Sequence, residues 1–164
     1  MLPPQAALYG HDRALPVLPP CVHYAGSERY IARALALQGE RGPVFDVAAD
    51  CEDGAAVGAE RAHAAMVARL LASPANRHDR AGVRTHDVYH PAFRAELEIL
   101  VGEAGHRLAF VTLPKARDVG DVERFLDALA LETARRGLGR EIPASVLVET
   151  HGALRDAWSI AALP

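Results

Sequence analysis

Val44-Phe45-Asp46-Val47-Ala48-Ala49-Asp50-Cys51-Glu52-Asp53-Gly54 is a short apolar run that ends in a cluster of acids and a glycine. An Ala-rich segment follows from about Gly58 to Leu71, its apolar residues recurring every three or four positions, until Ser73 and Pro74 stop it. A brief run of period two followed by a longer one of period near 3.6 is a strand followed by a helix.

The same unit repeats on both sides. Upstream, Pro20 to Ala25 reads as a strand, and Ser27 as the N-cap of a helix from Glu28 to about Gln38 that Gly39, Gly42 and Pro43 bring to an end. Downstream, Gly82 to His86 leads through His90 and Pro91 into a helix from Phe93 to Val101. Leu108 to Leu113 leads into a helix from about Val119 to Arg136, and Ala144 to Val148 into one from Ala153 to Ala162. Five β/α units result, each about thirty residues long.

Apolar strands covered by helices imply a parallel sheet, either doubly wound or closed into a barrel. Spacing leaves that choice open. The charged residues lean toward the barrel, because Asp50, Glu52, Asp53, Arg84, Asp87, Lys115 and Glu149 all follow strands, at the rim where barrels build their sites. An eight-unit barrel needs at least about 200 residues, whereas this sequence of 164 shows five units. The expected organisation is a proline-rich lead over residues 1–17, then the N-terminal part of a barrel domain over 18–164. Such a chain is either a fragment or completes its sheet by association, since two open parallel edges would face water.

Composition narrows the functions. Eighteen basic against twenty-one acidic residues give a net charge of −3, scattered along the chain. With no basic stripe to neutralise phosphates, a nucleic-acid partner is not expected. No run is long enough to span a bilayer, and the N-terminal stretch lacks the pattern of a signal peptide. Cys21 and Cys51 are expected to be buried, unpaired small residues, which together with these absences suits a cytoplasmic setting. Every base but one is arginine, so Lys115 is the single candidate for side-chain amine chemistry.

Asp46, Asp50, Glu52 and Asp53 place four carboxylates within eight residues. In extended backbone the first three share a face, where they repel unless a cation or an arginine joins them. They form either a solvated loop capping the next helix or part of a site. Arg84 is placed to grip a carboxylate with two parallel bonds, whether a ligand's or one from this cluster. Glu149 follows Val146, Leu147 and Val148 with no turn residue between, a costly place for a carboxylate unless Mg²⁺ or a salt bridge to Lys115 or Arg84 meets it. Lys115 is either a Schiff-base nucleophile or a charge partner for these acids, which should raise its pKa. His86, Asp87 and His90 have a spacing open to a metal, and His23 and His151 lie at strand ends.

The ordered set Val44-Phe45-Asp46 to Asp50-Cys51-Glu52-Asp53-Gly54-Ala55, Gly82-Val83-Arg84, Thr112-Leu113-Pro114-Lys115 with Asp118 and Val119, and Leu147-Val148-Glu149-Thr150 resembles the HpcH/HpaI aldolase and citrate lyase β-subunit family. The resemblance covers roughly residues 18 to 164. It implies an α/β fold that is part of a TIM (β/α)8 barrel, five of eight units, commonly in a trimer. It implies a Mg²⁺-dependent carbon–carbon lyase that cleaves or forms a β-hydroxyacyl thioester, such as a malyl, citramalyl or citryl group on CoA or a carrier protein, through a metal-stabilised enolate.

By the same resemblance Arg84 holds the keto-acid end, Glu149 is a metal ligand, and Glu52 and Asp53 lie beside the metal waters and the reacting carbon. Lys115 matches a motif that is not a Schiff-base motif in the family. His86 stands where common members carry Asn or a small polar residue, so it is expected to bind substrate differently. The second metal ligand, an aspartate on the strand after Glu149, is expected beyond residue 164, and the 164-residue chain alone is expected to show little turnover. Three other readings stand beside this one: a self-associating half barrel without catalysis, an imine-forming aldolase using Lys115, and a metal-dependent aldolase acting on free hydroxy-keto acids.

Overall fold

A computed structural model describes residues 21–164. The expected lead over 1–17 lies outside them. Five strands, β1 (Val22–Ala25), β2 (Asp46–Asp50), β3 (Ala81–Arg84), β4 (Val111–Leu113) and β5 (Ala144–Val146), alternate with helices α1 (Glu28–Arg41), α2 (Glu60–Ala72), α3 (Phe93–Ala104) and α4 (Val119–Arg135). Two short helices follow, α5 (His151–Arg155) and α6 (Ala157–Ala161).

All strand pairs are parallel, and their spatial order is the chain order β1-β2-β3-β4-β5. That order settles what spacing left open. A doubly wound sheet reverses direction at a switch point, whereas strands added always on the same side keep their helices on one face and curl toward a barrel.

Period two then sorts the side chains. Val47, Ala49, Ala81, Val83, Val111 and Leu113 join the apolar core with Leu71, Leu97, Leu100 and Phe125 of the helices. Phe93 and Phe125 meet at 6.1 Å between ring centroids, and burial of each such ring contributes about 2 kcal/mol relative to exposure. The opposite strand face carries the polar residues in register: Asp50 beside Arg84, Arg84 beside Thr112, Thr112 beside Ser145.

Helix starts follow their sequence signals. Ser27 caps α1 by accepting from Tyr30 N at 3.4 Å, Asp118 caps α4 through Asp121 N at 2.9 Å, and Thr150 caps α5 through Ala153 N at 3.0 Å.

Four expectations are corrected. The fourth strand starts at Val111 rather than Leu108, because Leu108 N donates to Ala104 O and so closes the turn that follows α3. The fifth stops at Val146 rather than Val148. The single last helix is two, divided at Asp156, whose carboxylate takes two bonds from Arg155 at 2.7 Å each. Cys51 is buried as expected, but Cys21 is exposed, since it lies just before β1 at the sheet edge.

Candidate active site

The site begins with the register. Asp50 and Arg84 are Cα partners at the C-terminal ends of β2 and β3, so their side chains leave the sheet on the same side and meet. Asp50 Oδ1 accepts from Arg84 Nε at 2.8 Å and Oδ2 from Nη2 at 2.6 Å. The same two oxygens accept from the backbone N–H groups of Glu52 at 3.0 Å and Gly54 at 2.9 Å, folding the acidic loop back over the strand end. Burial pushes the Asp50 carboxyl up, but the Arg84 hydrogen bonds, with the two backbone donors and the arginine charge, outweigh it and hold the group below its ordinary value. The Asp50 bonds correspondingly raise the Arg84 guanidinium, against desolvation.

The remaining Arg84 amino group faces the other two acids. Nη1 lies 3.0 Å from Glu52 Oε2 and 3.7 Å from Asp53 Oδ2. The Tyr24 ring of β1 lies beneath the guanidinium, its centroid 5.2 Å from Cζ. Glu52 is only 8% exposed, whereas the Asp53 side chain is 64% exposed. One acid is fixed between cations and the other stands in solvent.

Lys115 completes the cluster from the turn after β4. Its ammonium pairs with Glu52 Oε1 and lies 3.2 Å from Asp53 Oδ1. The bond to Glu52 foremost, with Asp53 adding to it, raises the Lys115 pKa despite some desolvation. A lysine held as its ammonium is a poor imine nucleophile. Lys115 also has φ +52°, a left-handed backbone that costs a non-glycine residue about 1 kcal/mol or more. That turn aims its backbone N–H at Glu149 Oε1, 2.7 Å away.

Glu149 therefore does not meet the Lys115 ammonium. Among the described residues it has no cationic side-chain partner, and it is exposed. No group of three His, Cys, Asp or Glu among the described residues is arranged to hold a metal ion. His86, Asp87 and His90 are thereby corrected as a metal site. His86 bonds Glu96 through its ring and backbone and stacks on His90 at 3.8 Å.

Comparison with solved structures locates this arrangement. A citrate lyase from Burkholderia xenovorans LB400 superposes with a TM-score of 0.87 and 44% identity, over 93% of this chain and 48% of that one. The chain resembles about half of this citrate lyase in sequence and in fold, the resemblance that its motifs predict. Protein CitE from Mycobacterium tuberculosis, in complex with magnesium and pyruvate, superposes with a TM-score of 0.61 and 25% identity, over 91% of this chain and 52% of that one. A malate synthase from Haloferax volcanii shares the fold, with a TM-score of 0.69 at 17% identity over 94% of this chain and 48% of that one. No family model and no curated protein matches. The chain spans about half the length of the solved structures it matches.

Within this fold, Arg84, Glu52, Asp53 and Lys115 gather at one rim, and Glu149 joins them through the Lys115 backbone. Asp46 does not join. It shares a strand face with Asp50 but lies at the opposite end of β2, where it pairs with Arg80 at 2.7 Å. So charged groups are not confined to the C-terminal ends of the strands. Two contributors went unnoticed in the sequence. Tyr24 carried no signal beyond its place on a strand. Glu96 did carry one, since it is a charge on a helix stripe whose other members, Phe93, Leu97, Leu100, Val101 and Ala104, are apolar.

The loop packs without slack. A Cβ on Gly26 would lie 2.0 Å from Gly54 O, and one on Gly54 would lie 2.6 Å from Asp50 Oδ2. Gly26→Ala must therefore push the Glu52–Asp53 loop off the strand ends, at about 2 kcal/mol of stability for overpacking against backbone. Urea unfolding checks this, and an unchanged midpoint with an unshifted Gly54 amide resonance contradicts it.

Proposed function

We propose that this chain forms the keto-acid and magnesium side of a Mg²⁺-dependent carbon–carbon lyase acting on β-hydroxyacyl thioesters such as malyl-, citramalyl- or citryl-CoA, or their carrier-protein forms. The observation that carries the reading is Glu149. Of the acids gathered around Arg84 and Lys115, it is the one that no cationic side chain among the described residues neutralises, while Glu52 and Asp53 are each paired with Arg84 and Lys115. The magnesium and pyruvate complex of the M. tuberculosis CitE protein supports the choice of cation and ligand.

The donor chemistry fits Mg²⁺, which takes carboxylate oxygens and keeps several waters and substrate oxygens. Glu149 is the residue that would hold it, with Glu52 and Asp53 beside its waters, and the remaining protein ligand would come from outside the described residues. When bound, the ion supplies Lewis-acid stabilisation of developing oxyanion charge.

The chain's own side chains supply the rest. Arg84 presents Nη1 to the keto-acid carboxylate, because Asp50 occupies its Nε and Nη2 edge. Asp50 fixes that guanidinium, so the ligand meets a preorganised donor. Asp53, exposed and 3.7 Å from Nη1, is the group a ligand carboxylate displaces, and it is then free to carry a proton to or from the acyl carbon. Glu52 stays between Lys115 and Arg84 and keeps the two cations in place. His86 contributes a hydrogen bond to the substrate from the rim. Copies of the chain associate, as trimers in the family pattern.

Titration calorimetry of the chain with pyruvate tests the reading. Mg²⁺ is expected to strengthen pyruvate binding tenfold or more, and Glu149→Gln to abolish that dependence. Equal affinity with and without Mg²⁺ overturns it.

A further inference from the structure

Glu96 is a fully buried glutamate on the apolar stripe of α3, 0% exposed. Both its oxygens are used by one residue. Oε2 accepts from the backbone N–H of His86 at 3.0 Å, and Oε1 lies 2.6 Å from His86 Nδ1. A carboxylate only accepts, so the hydrogen of that short contact belongs to Nδ1. The His86 side chain is 16% exposed. Its ring is stacked on His90 at 3.8 Å with 13° between the planes. His90 is in turn fixed, because its Nδ1 accepts from Ala92 N at 3.2 Å. The stack holds the ring plane, and turning the His86 imidazole over within that plane would put a C–H against Glu96 and leave the buried carboxylate half unpaired, a penalty of about 1–3 kcal/mol.

A carboxylate behind one imidazole nitrogen dictates what the other nitrogen offers. We propose that Glu96 is a positioning residue that locks His86 in its Nδ1–H tautomer, so that Nε2, at the rim two residues beyond Arg84, is a hydrogen-bond acceptor for the hydroxyl of a 2-hydroxycarboxylate. This rests on the function proposed above and assigns a preference within it. The keto acid and the hydroxyacyl unit share a carboxylate that Arg84 can hold, but they differ in the neighbouring oxygen. A ketone oxygen only accepts and gains nothing from an Nε2 lone pair, whereas a hydroxyl donates to it. The pair thus favours the uncleaved hydroxyacyl end over the keto-acid product, and an asparagine or a freely rotating histidine would lose that bias.

Nitrogen-15 NMR of the full chain labelled at histidine and arginine tests this directly, with lactate and pyruvate, each with Mg²⁺, as probes. The expected wild-type spectrum shows His86 as Nδ1–H at neutral pH, with its Nε2 resonance shifting on addition of lactate and not of pyruvate. Glu96→Gln is expected to mix the tautomers and to cut the lactate-over-pyruvate preference about fivefold, the worth of one hydrogen bond. The wild-type spectrum decides the matter even if E96Q does not fold. An Nε2–H tautomer in the wild type, or equal shifts with both acids, overturns the proposal. If the Arg84 resonances respond to both acids while those of His86 are silent, the proposal fails and the proposed function stands. If neither acid binds, the proposed function fails, and the ligand assignment with it.

Discussion

Asp50→Ala is expected to lower the stability of the chain by about 3 kcal/mol, the low end of what removing one partner of a buried ion pair costs. The Asp50 side chain is 5% exposed and that of Arg84 13%, and the aspartate accepts four hydrogen bonds. Its loss strands a guanidinium and two backbone donors at once. The cost stays at the low end because Glu52 remains 3.0 Å from Nη1. The same pair sets a pH dependence. The Asp50 carboxyl is lowered in the folded chain, so its contribution is fully present above the ordinary aspartate value of about 4 and is lost as pH falls below it through the depressed folded value. Urea unfolding at neutral and at acidic pH reads both effects. A wild-type and D50A difference under about 0.5 kcal/mol, or one that does not shrink in acid, contradicts the account.

Arg84→Lys is expected to weaken Mg²⁺-dependent pyruvate binding about a hundredfold. Lysine keeps the charge but not the fork, and Asp50 would draw a point ammonium to itself. Arginine serves both neighbours because its Nε and Nη2 edge lies on Asp50 while Nη1 projects to the opposite side. A hundredfold loss, about 2.7 kcal/mol, is one hydrogen bond to a charged group near the upper end of its range. Calorimetry gives the affinity, and the urea midpoint separates it from misfolding. Binding within threefold of wild type would show that the keto-acid carboxylate is held elsewhere. Gly26→Ala, Glu149→Gln and Glu96→Gln then probe the loop, the cation and the imidazole independently, since no two of those three residues share a hydrogen bond.

Much of the fold was legible because the signals were local. Strand–helix alternation follows from the change of apolar period, and α1 and α4 start at Glu28 and Val119 as expected, whereas the last helix starts at His151 rather than Ala153. Strand ends were less legible. Leu108 is apolar enough for a strand, but its N–H is taken by the end of α3.

The site was legible as a list of residues and not as a set of partners. Asp46 and Asp50 look alike in the sequence. One pairs with Arg80 at the foot of the sheet and the other with Arg84 at its top, because they are the first and last residues of β2. Lys115 was readable as a charge partner. That its backbone and its ammonium would serve different carboxylates was not, since this depends on a positive φ.

The amino-acid sequence by itself determined the β/α order, the family pattern, and which charged residues follow strands, because period, caps and motif spacing act over a few residues of chain. Only the tertiary structure decided that the sheet runs in chain order, that Arg84 turns one edge to Asp50, that Glu149 meets an amide rather than an ammonium, and that Glu96 lies behind His86. Those outcomes depend on strand register and on which donors burial brings within about 3 Å, over separations of up to 34 residues along the chain.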